Sequence, residues 1–215
     1  PSVDCANIAC GFHAGDPMTM TRTVELAISE GKKIGAHPSL PDREGFGRRE
    51  MRLSPEELRS AFIYQIGALA GIARAAGASL NHVKPHGIIY GMAAREIALA
   101  TAMAEAAKAF DLPLFGMAGT LHEEAAKAVG TRFVGEFFGD LTYSATGELI
   151  IPRRHSAVDI QWAAARLERA LREGIVEAVD GTLLNVSFQT VCIHSDPPNA
   201  RDVAAAMRRV LDGVD

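Results

Sequence analysis

The 215-residue chain has little of what marks several large function classes. It holds three cysteines, Cys5, Cys10 and Cys192, and no C-x-x-C pair. Neither a thiolate zinc site nor a disulfide framework is therefore expected, and the apolar runs around these residues suit buried thiols in a reducing compartment. No stretch reaches the ~18 apolar residues of a membrane span, and no basic segment followed by an apolar one opens the chain, so a cytoplasmic location is the default. Positive charge is short as well: 22 Lys and Arg against 26 Asp and Glu leave a net charge of −4, which argues against general nucleic-acid binding. G-x-x-x-x-G-K-[ST] is absent, which removes a P-loop nucleotide site, and the absence of G-x-S-x-G lowers serine-hydrolase readings. With no linker, low-complexity tract or long-period repeat, a single α/β domain over residues 1–215 is the economical expectation.

What is present alternates. Short apolar runs at 7–10, 33–37, 81–85, 114–117, 132–136 and 190–194 are too short for independent helices and predict strands. Asp16-Pro17 reads as N-cap and first helical residue ahead of Met20, Val24 and Ile28, with Gly31 ending the helix. Ser54-Pro55-Glu56-Glu57 predicts a capping box and a helix with the stripe Leu58, Phe62, Ile66, Leu69 and Ala73. Ile160, Ala164, Leu167 and Leu171 mark another helix, and Asp196-Pro197 is expected to cap a last one carrying Val203, Met207, Val210 and Val214. Two irregular stretches, 137–156 and 176–190, interrupt the pattern, and Asp180-Gly181 in the second signals a hairpin. The βαβα order implies parallel strands with helical crossovers. Pro1-Ser2-Val3 supplies no initiator methionine and almost nothing precedes the first strand, so a barrel beginning here is expected to be short of an element.

Four of the strand ends carry histidine: C-G-F-H-A-G-D (Cys10 to Asp16), G-A-H-P (Gly35 to Pro38), K-P-H-G (Lys84 to Gly87) and C-I-H-S-D (Cys192 to Asp196). In a parallel α/β protein the carboxyl ends of strands share a face, which makes His13, His37, His86 and His194 candidates for a pocket. Imidazole placed there ligates a metal or moves a proton near neutral pH. His82 inside a strand, His122 in a first helical turn and His155 beside Arg153 and Arg154 read as structural. Asp16 is first a cap and second an acid or metal ligand.

Lys84 ends an apolar strand and needs a carboxylate or an anionic ligand to offset its desolvation; Glu136 is the expected counter-ion. Asn7 raises the same question with less force. Asp42 to Arg49, D-R-E-G-F-G-R-R, sets three arginines among glycines and reads as an anion clamp or a lid.

A-N-I-A-C-G-F-H-A-G-D-P (Ala6 to Pro17), G-A-H-P-S-L-P-D-R-E-G-F-G-R-R (Gly35 to Arg49), Y-Q-I-G-A-L (Tyr64 to Leu69) and H-V-K-P-H-G (His82 to Gly87) closely resemble the LamB/YcsF family of lactam-utilisation proteins. The resemblance continues through I-P-R (Ile151 to Arg153) and C-I-H-S-D. It implies an irregular seven-stranded α/β barrel similar to the glycoside hydrolase/deacetylase group. It also implies ATP-dependent opening of 5-oxo-L-proline to L-glutamate in a 5-oxoprolinase complex with subunits B and C.

The chain departs from the family pattern in two ways. A first strand resembling D-L-N-x-D-x-G-E has no counterpart before Pro1. The usual H-P-G-Y, G-A-L-Y-N and H-G-D stand here as His37-Pro38-Ser39-Leu40, Gly87-Ile88-Ile89-Tyr90-Gly91 and His194-Ser195-Asp196.

The chemistry that follows is hydrolytic. A five-membered lactam is an unreactive amide, so phosphorylation of its carbonyl oxygen by ATP and activation of water are the expected steps. His13, His37 and His86 are candidates to position or deprotonate the water, with Asp16 assisting. A divalent metal on these three histidines is one form of this reading and a metal-free proton relay is the other. Lys84 would stabilise negative charge, and Arg48 or Arg49 would hold the substrate carboxylate, with Asn7, Glu136 and His194 as further substrate contacts. Two rival readings remain: a stand-alone metal-dependent deacetylase or amidohydrolase, and a lactam-binding subunit without chemistry. Association of the chain with itself stays open beside the B and C partnership.

Overall fold

The computed structural model describes residues 2–152 and 155–213. Arg153, within the I-P-R motif, its neighbour Arg154, and Val214, at the end of the last predicted stripe, lie outside the described residues. The chain divides into two compact units, one from Val3 to Val134 and one from Gly135 onward.

The first unit holds β1 (Cys5–Ala9), α1 (Pro17–Ser29), β2 (Lys33–His37), α2 (Pro55–Ala75), β3 (Leu80–Val83), α3 (Ile88–Ala93), α4 (Ile97–Lys108), β4 (Leu114–Gly116) and α5 (Leu121–Val129). Its four strands pair in the order β1-β2-β3-β4, parallel throughout, as the alternation implied. The register sets Ala9 opposite His37 and Ala36 opposite Val83, so the strand ends that carry the predicted histidines lie side by side.

The helices bury the stripes that the 3.6-residue period marks out. Leu58, Phe62, Ile66, Leu69 and Ala73 of α2 are fully buried, and each large one contributes about 1.5–3 kcal/mol of transfer free energy. The Ser54 box forms in both directions. One position of α1 corrects the predicted stripe: Ala27 faces the core and Ile28 is 42% exposed.

The second unit holds the end of β5 (Phe133–Phe138), then β6 (Thr142–Tyr143), β7 (Leu149–Ile150), α6 (Ile160–Glu173), β8 (Ile175–Glu177), β9 (Leu183–Asn185), β10 (Thr190–Cys192) and α7 (Ala200–Asp212). β5 and β10 run parallel with Thr190 opposite Glu136 and Cys192 opposite Phe138. β8 and β9 form the hairpin that Asp180-Gly181 signalled, where Asp180 Oδ1 accepts from the Thr182 N–H at 3.1 Å.

Two helix readings change here. α6 buries Ala163, Arg166, Leu167 and Ala170 instead of the stripe of Ile160, Ala164 and Leu171 around Leu167. Asp196 does not cap α7: Pro197 O accepts from the Ala200 N–H at 3.1 Å, a turn that delays the helix to Ala200 with Asn199 at its N-cap.

Candidate active site

Three histidines of the first unit converge beyond the carboxyl ends of β1, β2 and β3. His13 and His86 are buried and stack face to face, with ring centroids 4.0 Å apart and planes 10° apart. His37 meets His86 edge-on at 4.8 Å, its Nε2 3.0 Å from His86 Nδ1. The outer nitrogens of this pair face carbonyls: His37 Nδ1 lies 2.5 Å from Lys84 O and His86 Nε2 lies 2.8 Å from Phe46 O. A carbonyl only accepts, so both outer nitrogens carry protons, and the bond between the rings needs a third. That is one proton more than two neutral imidazoles hold. Burial acts against the charge, pushing His37 well below its ordinary value with help from His86, Lys84 and His13. Burial, then His86 and Arg48, lowers His13 to about 3, and its Nδ1 is buried with no hydrogen-bond partner among the described residues.

Backbone bonds fix these rings. His86 N–H donates to Pro38 O at 2.9 Å and Ser39 Oγ donates to His86 O at 2.9 Å. Gln65, fully buried on α2, brackets Ser39 by accepting from its N–H at 3.0 Å and donating to its carbonyl at 2.8 Å. The 42–49 loop forms a roof. Asp42 accepts from the Gly45 N–H at 2.9 Å and from Arg49 Nε at 2.8 Å, and it also pairs with Arg49 Nη2. The Arg49 guanidinium holds the Asp42 carboxyl down at about 2.

The roof tip is tight. Phe46 takes a left-handed φ of 56° and sets its ring 4.8 Å from His86. Gly47 O accepts from the Ile88 N–H at 2.9 Å. A Cβ on Gly87, whose φ is +76°, would collide with Gly47 O, so this contact requires glycine.

The remaining predicted residues fall as follows. Asp16 is an N-cap, accepting from the Met18 and Thr19 N–H groups at 2.9 and 3.0 Å and from Thr19 Oγ1 at 2.6 Å. Lys84 is buried with Nζ 4.8 Å from the centre of the Tyr90 ring. Arg48 lies over the Phe46 ring at 5.1 Å, whereas Arg49 is committed to Asp42. Asn7 Oδ1 lies 2.7 Å from His82 Nε2, and His82 stacks on Phe115 at 3.9 Å in space that Gly35 leaves open. His122 bonds Tyr90 O at 2.9 Å and receives the Met117 N–H at 3.3 Å. His82 and His122 thus act as packed, bonded core groups, each lowered to about 4 chiefly by burial.

In the second unit Glu136 is buried in β5, and His194 follows β10 and pairs with Asp140, a residue that sequence reasoning missed. Its signal was the strand register: Asp140 stands two residues past Phe138 and His194 two past Cys192, the facing ends of β5 and β10. Asp42, Gln65 and Arg166 were missed as well.

The three converging histidines do not fit a metal held by three imidazole nitrogens. His37 and His86 each engage both nitrogens, and stacked rings direct their nitrogen lone pairs side by side instead of toward one point. Among the described residues no group of three His, Cys, Asp or Glu is placed to hold a metal. No described helix is long and apolar enough to cross a membrane.

A model of the LamB/YcsF family matches residues 1–215. The chain is 50% identical over 214 residues to a Methylococcus capsulatus protein named as the A subunit of 5-oxoprolinase, covering 97% of this chain and 82% of that one. It is 48% identical over 217 residues to a Thermus thermophilus protein of the same name, covering 99% and 86%. The crystal structure of the lactam utilization protein from Thermus thermophilus matches with a TM-score of 0.87 at 44% identity, over 98% of this chain and 86% of that one.

Proposed function

The chain belongs to the LamB/YcsF family, and from that premise we propose that it is the A subunit of a 5-oxoprolinase. In this reading it opens the lactam ring of 5-oxo-L-proline to L-glutamate, driven by ATP, in a cytoplasmic complex with B and C subunits. Its parallel strands would then belong to an irregular seven-stranded α/β barrel. The observation that carries the reading is the buried histidine group under the 42–49 roof, in a chain 44% identical to a lactam utilization protein.

Each part of that group has a chemical role. The His37–His86 pair is complete only with an added proton, which suits a wall that faces an anionic substrate and passes a proton along. Lys84, a buried cation, stabilises negative charge developing on the carbonyl or on a phosphoryl group. Arg48 receives the substrate carboxylate, since Arg49 is committed to Asp42. The roof limits water around the reacting amide. ATP enters as co-substrate, and the activated carbonyl is what makes an unstrained amide hydrolysable.

The test is an assay for glutamate from 5-oxoproline and ATP, using this chain alone and then with candidate B and C subunits. Glutamate in the full mixture only is the expected result. Release by the single chain without ATP would contradict the proposal.

A further inference from the structure

We propose that the second unit carries a binding pocket for a small apolar carboxylate, in which Arg166 of α6 takes the carboxylate and Trp162 covers the ligand. Arg166 is only 9% exposed, and one side of its guanidinium is engaged: Nη1 donates to Leu141 O at 2.9 Å and to Gly139 O at 3.4 Å. The other side is not. Among the described residues, Nε and Nη2 are buried without hydrogen-bond partners and the guanidinium forms no ion pair. The Nε–H and the Nη2–H beside it point the same way, and together they make the edge-on fork that receives both oxygens of a carboxylate. A buried cation with that fork unbonded is costly. Burial draws its pKa down, and Tyr143 and Asp140 oppose that shift without bonding to the fork. A water molecule would satisfy the donors and leave the charge, whereas a carboxylate meets both.

Arg166 lines a cavity of about 460 Å³, a size suited to a small ligand, and every residue of the lining belongs to the second unit. Trp162, one helical turn before Arg166, gives the cavity an apolar wall together with Val176 and Val179. The charges at its edge are already matched, since Arg169 pairs with Glu173 at 3.1 Å and with Glu177 at 3.6 Å. Among the described lining residues Arg166 is therefore the cation left to a ligand. One negative charge matches it, and a phosphate dianion would bring a surplus into a poorly solvated place.

The rings around the guanidinium show how a ligand enters. Trp162 lies closest, with its centre 4.3 Å from the guanidinium carbon, and Phe137 and Tyr143 follow at 5.6 and 5.7 Å. Phe137 and Tyr143 are buried, whereas Trp162 is 37% exposed. Nε and Nη2 meet no solvent in this structure, so entry turns the Trp162 ring aside, and the ring then packs on the apolar body of the ligand.

Trp162 is the only tryptophan of the chain, so its fluorescence reads the pocket directly. Titration of the full chain with phenylacetate should give a saturable change, with the neutral phenylacetamide weaker by about tenfold or more. R166K keeps the charge and loses the fork, and it is expected to weaken phenylacetate by about tenfold or more, with circular dichroism and Tm checking its fold. V179E leaves the buried arginine alone. It sets a carboxylate on an exposed lining residue and should weaken phenylacetate several-fold while sparing phenylacetamide. Phenyl phosphate tests the charge match and should bind more weakly than phenylacetate. The proposal is overturned by no saturable change up to about 10 mM phenylacetate, by equal binding of the acid and the amide, or by tighter binding of phenyl phosphate. If R166K does not fold, the comparison of acid with amide and the V179E variant decide the matter on folded protein. None of these readouts uses turnover, so failure of the lactam reading would leave them standing.

Discussion

In the first unit, His37 and His86 are bonded at both nitrogens, and His13, His82 and His122 are buried and lowered to between about 3 and 4; in the second, His194 gives one nitrogen to Asp140 and keeps the other. Residue type is the same and the chemistry is not. A ring whose nitrogens are both committed fixes backbone carbonyls and holds a loop, as His86 does for Phe46. A ring held at one nitrogen has a defined tautomer and a lone pair to offer. Position after a strand does not separate these cases, since all four candidate histidines share it; the count of hydrogen bonds at each ring does.

The largest effect expected from this contrast is acid sensitivity of the first unit. His13, His82 and His122 have folded values of about 3, 4 and 4 against about 6.5 in an unfolded chain. Between pH 6.5 and about 4 the unfolded chain binds more protons, so stability falls as pH is lowered through that window. Each histidine contributes about 1.4 kcal/mol per pH unit, roughly 4 kcal/mol per unit for three. Hydrogen exchange of amides in β1, β2 and β3, measured at pH 6.5 and 5 after correction for intrinsic rates, should show this loss of protection. Unchanged protection would break the contrast by showing these rings protonated in the fold or open to solvent.

Next comes His86→Ala, which removes the donor to Phe46 O and the partner of His37 Nε2. Two part-buried polar groups lose their bonds, at about 1 kcal/mol each, and turnover of the complex should drop because the roof loses its tie. Urea unfolding checks the first part, and a loss below about 0.5 kcal/mol would mean that the cluster does not act as a scaffold. Gly87→Ala attacks the same roof from the backbone. The new Cβ runs into Gly47 O in a left-handed conformation, a strain of about 1–3 kcal/mol. A fall in kcat/KM with His86 intact would locate the effect in the roof.

Much of this was legible beforehand, and the reasons for the rest are specific. Lys33–His37 was readable to the residue because Pro38 stops what Gly31 and a short apolar run begin. The α2 stripe was readable because its period has no competing charge. α6 was not, because a period count sends arginine outward, and only the cage of Phe137, Tyr143 and Trp162 lets Arg166 turn inward. Asp140 was invisible for a different reason. Nothing along one dimension links residue 140 to residue 194; the link exists only once β5 and β10 are paired. The bonding state of His37 was equally hidden, because its partner is a backbone oxygen that any residue at position 84 would supply.

The smallest effect separates the two readings of Asp16. Its oxygens accept from Met18 N–H, Thr19 N–H and Thr19 Oγ1, all within the first turn of α1, and these bonds hold its carboxyl below the usual carboxylate range, the Thr19 hydroxyl most of all. Asparagine caps a helix about as well as aspartate and cannot serve as an acid or base at this site. If the cap is its whole role, Asp16→Asn leaves turnover of the complex near wild type, and Asp16→Ala lowers Tm by a few degrees with a proportionate effect on activity. If Asp16 moves a proton, Asp16→Asn keeps the wild-type Tm and loses kcat. The second outcome would add a carboxylate to the proton chemistry of the first unit and blur its contrast with His194, whose ring is held at one nitrogen by Asp140.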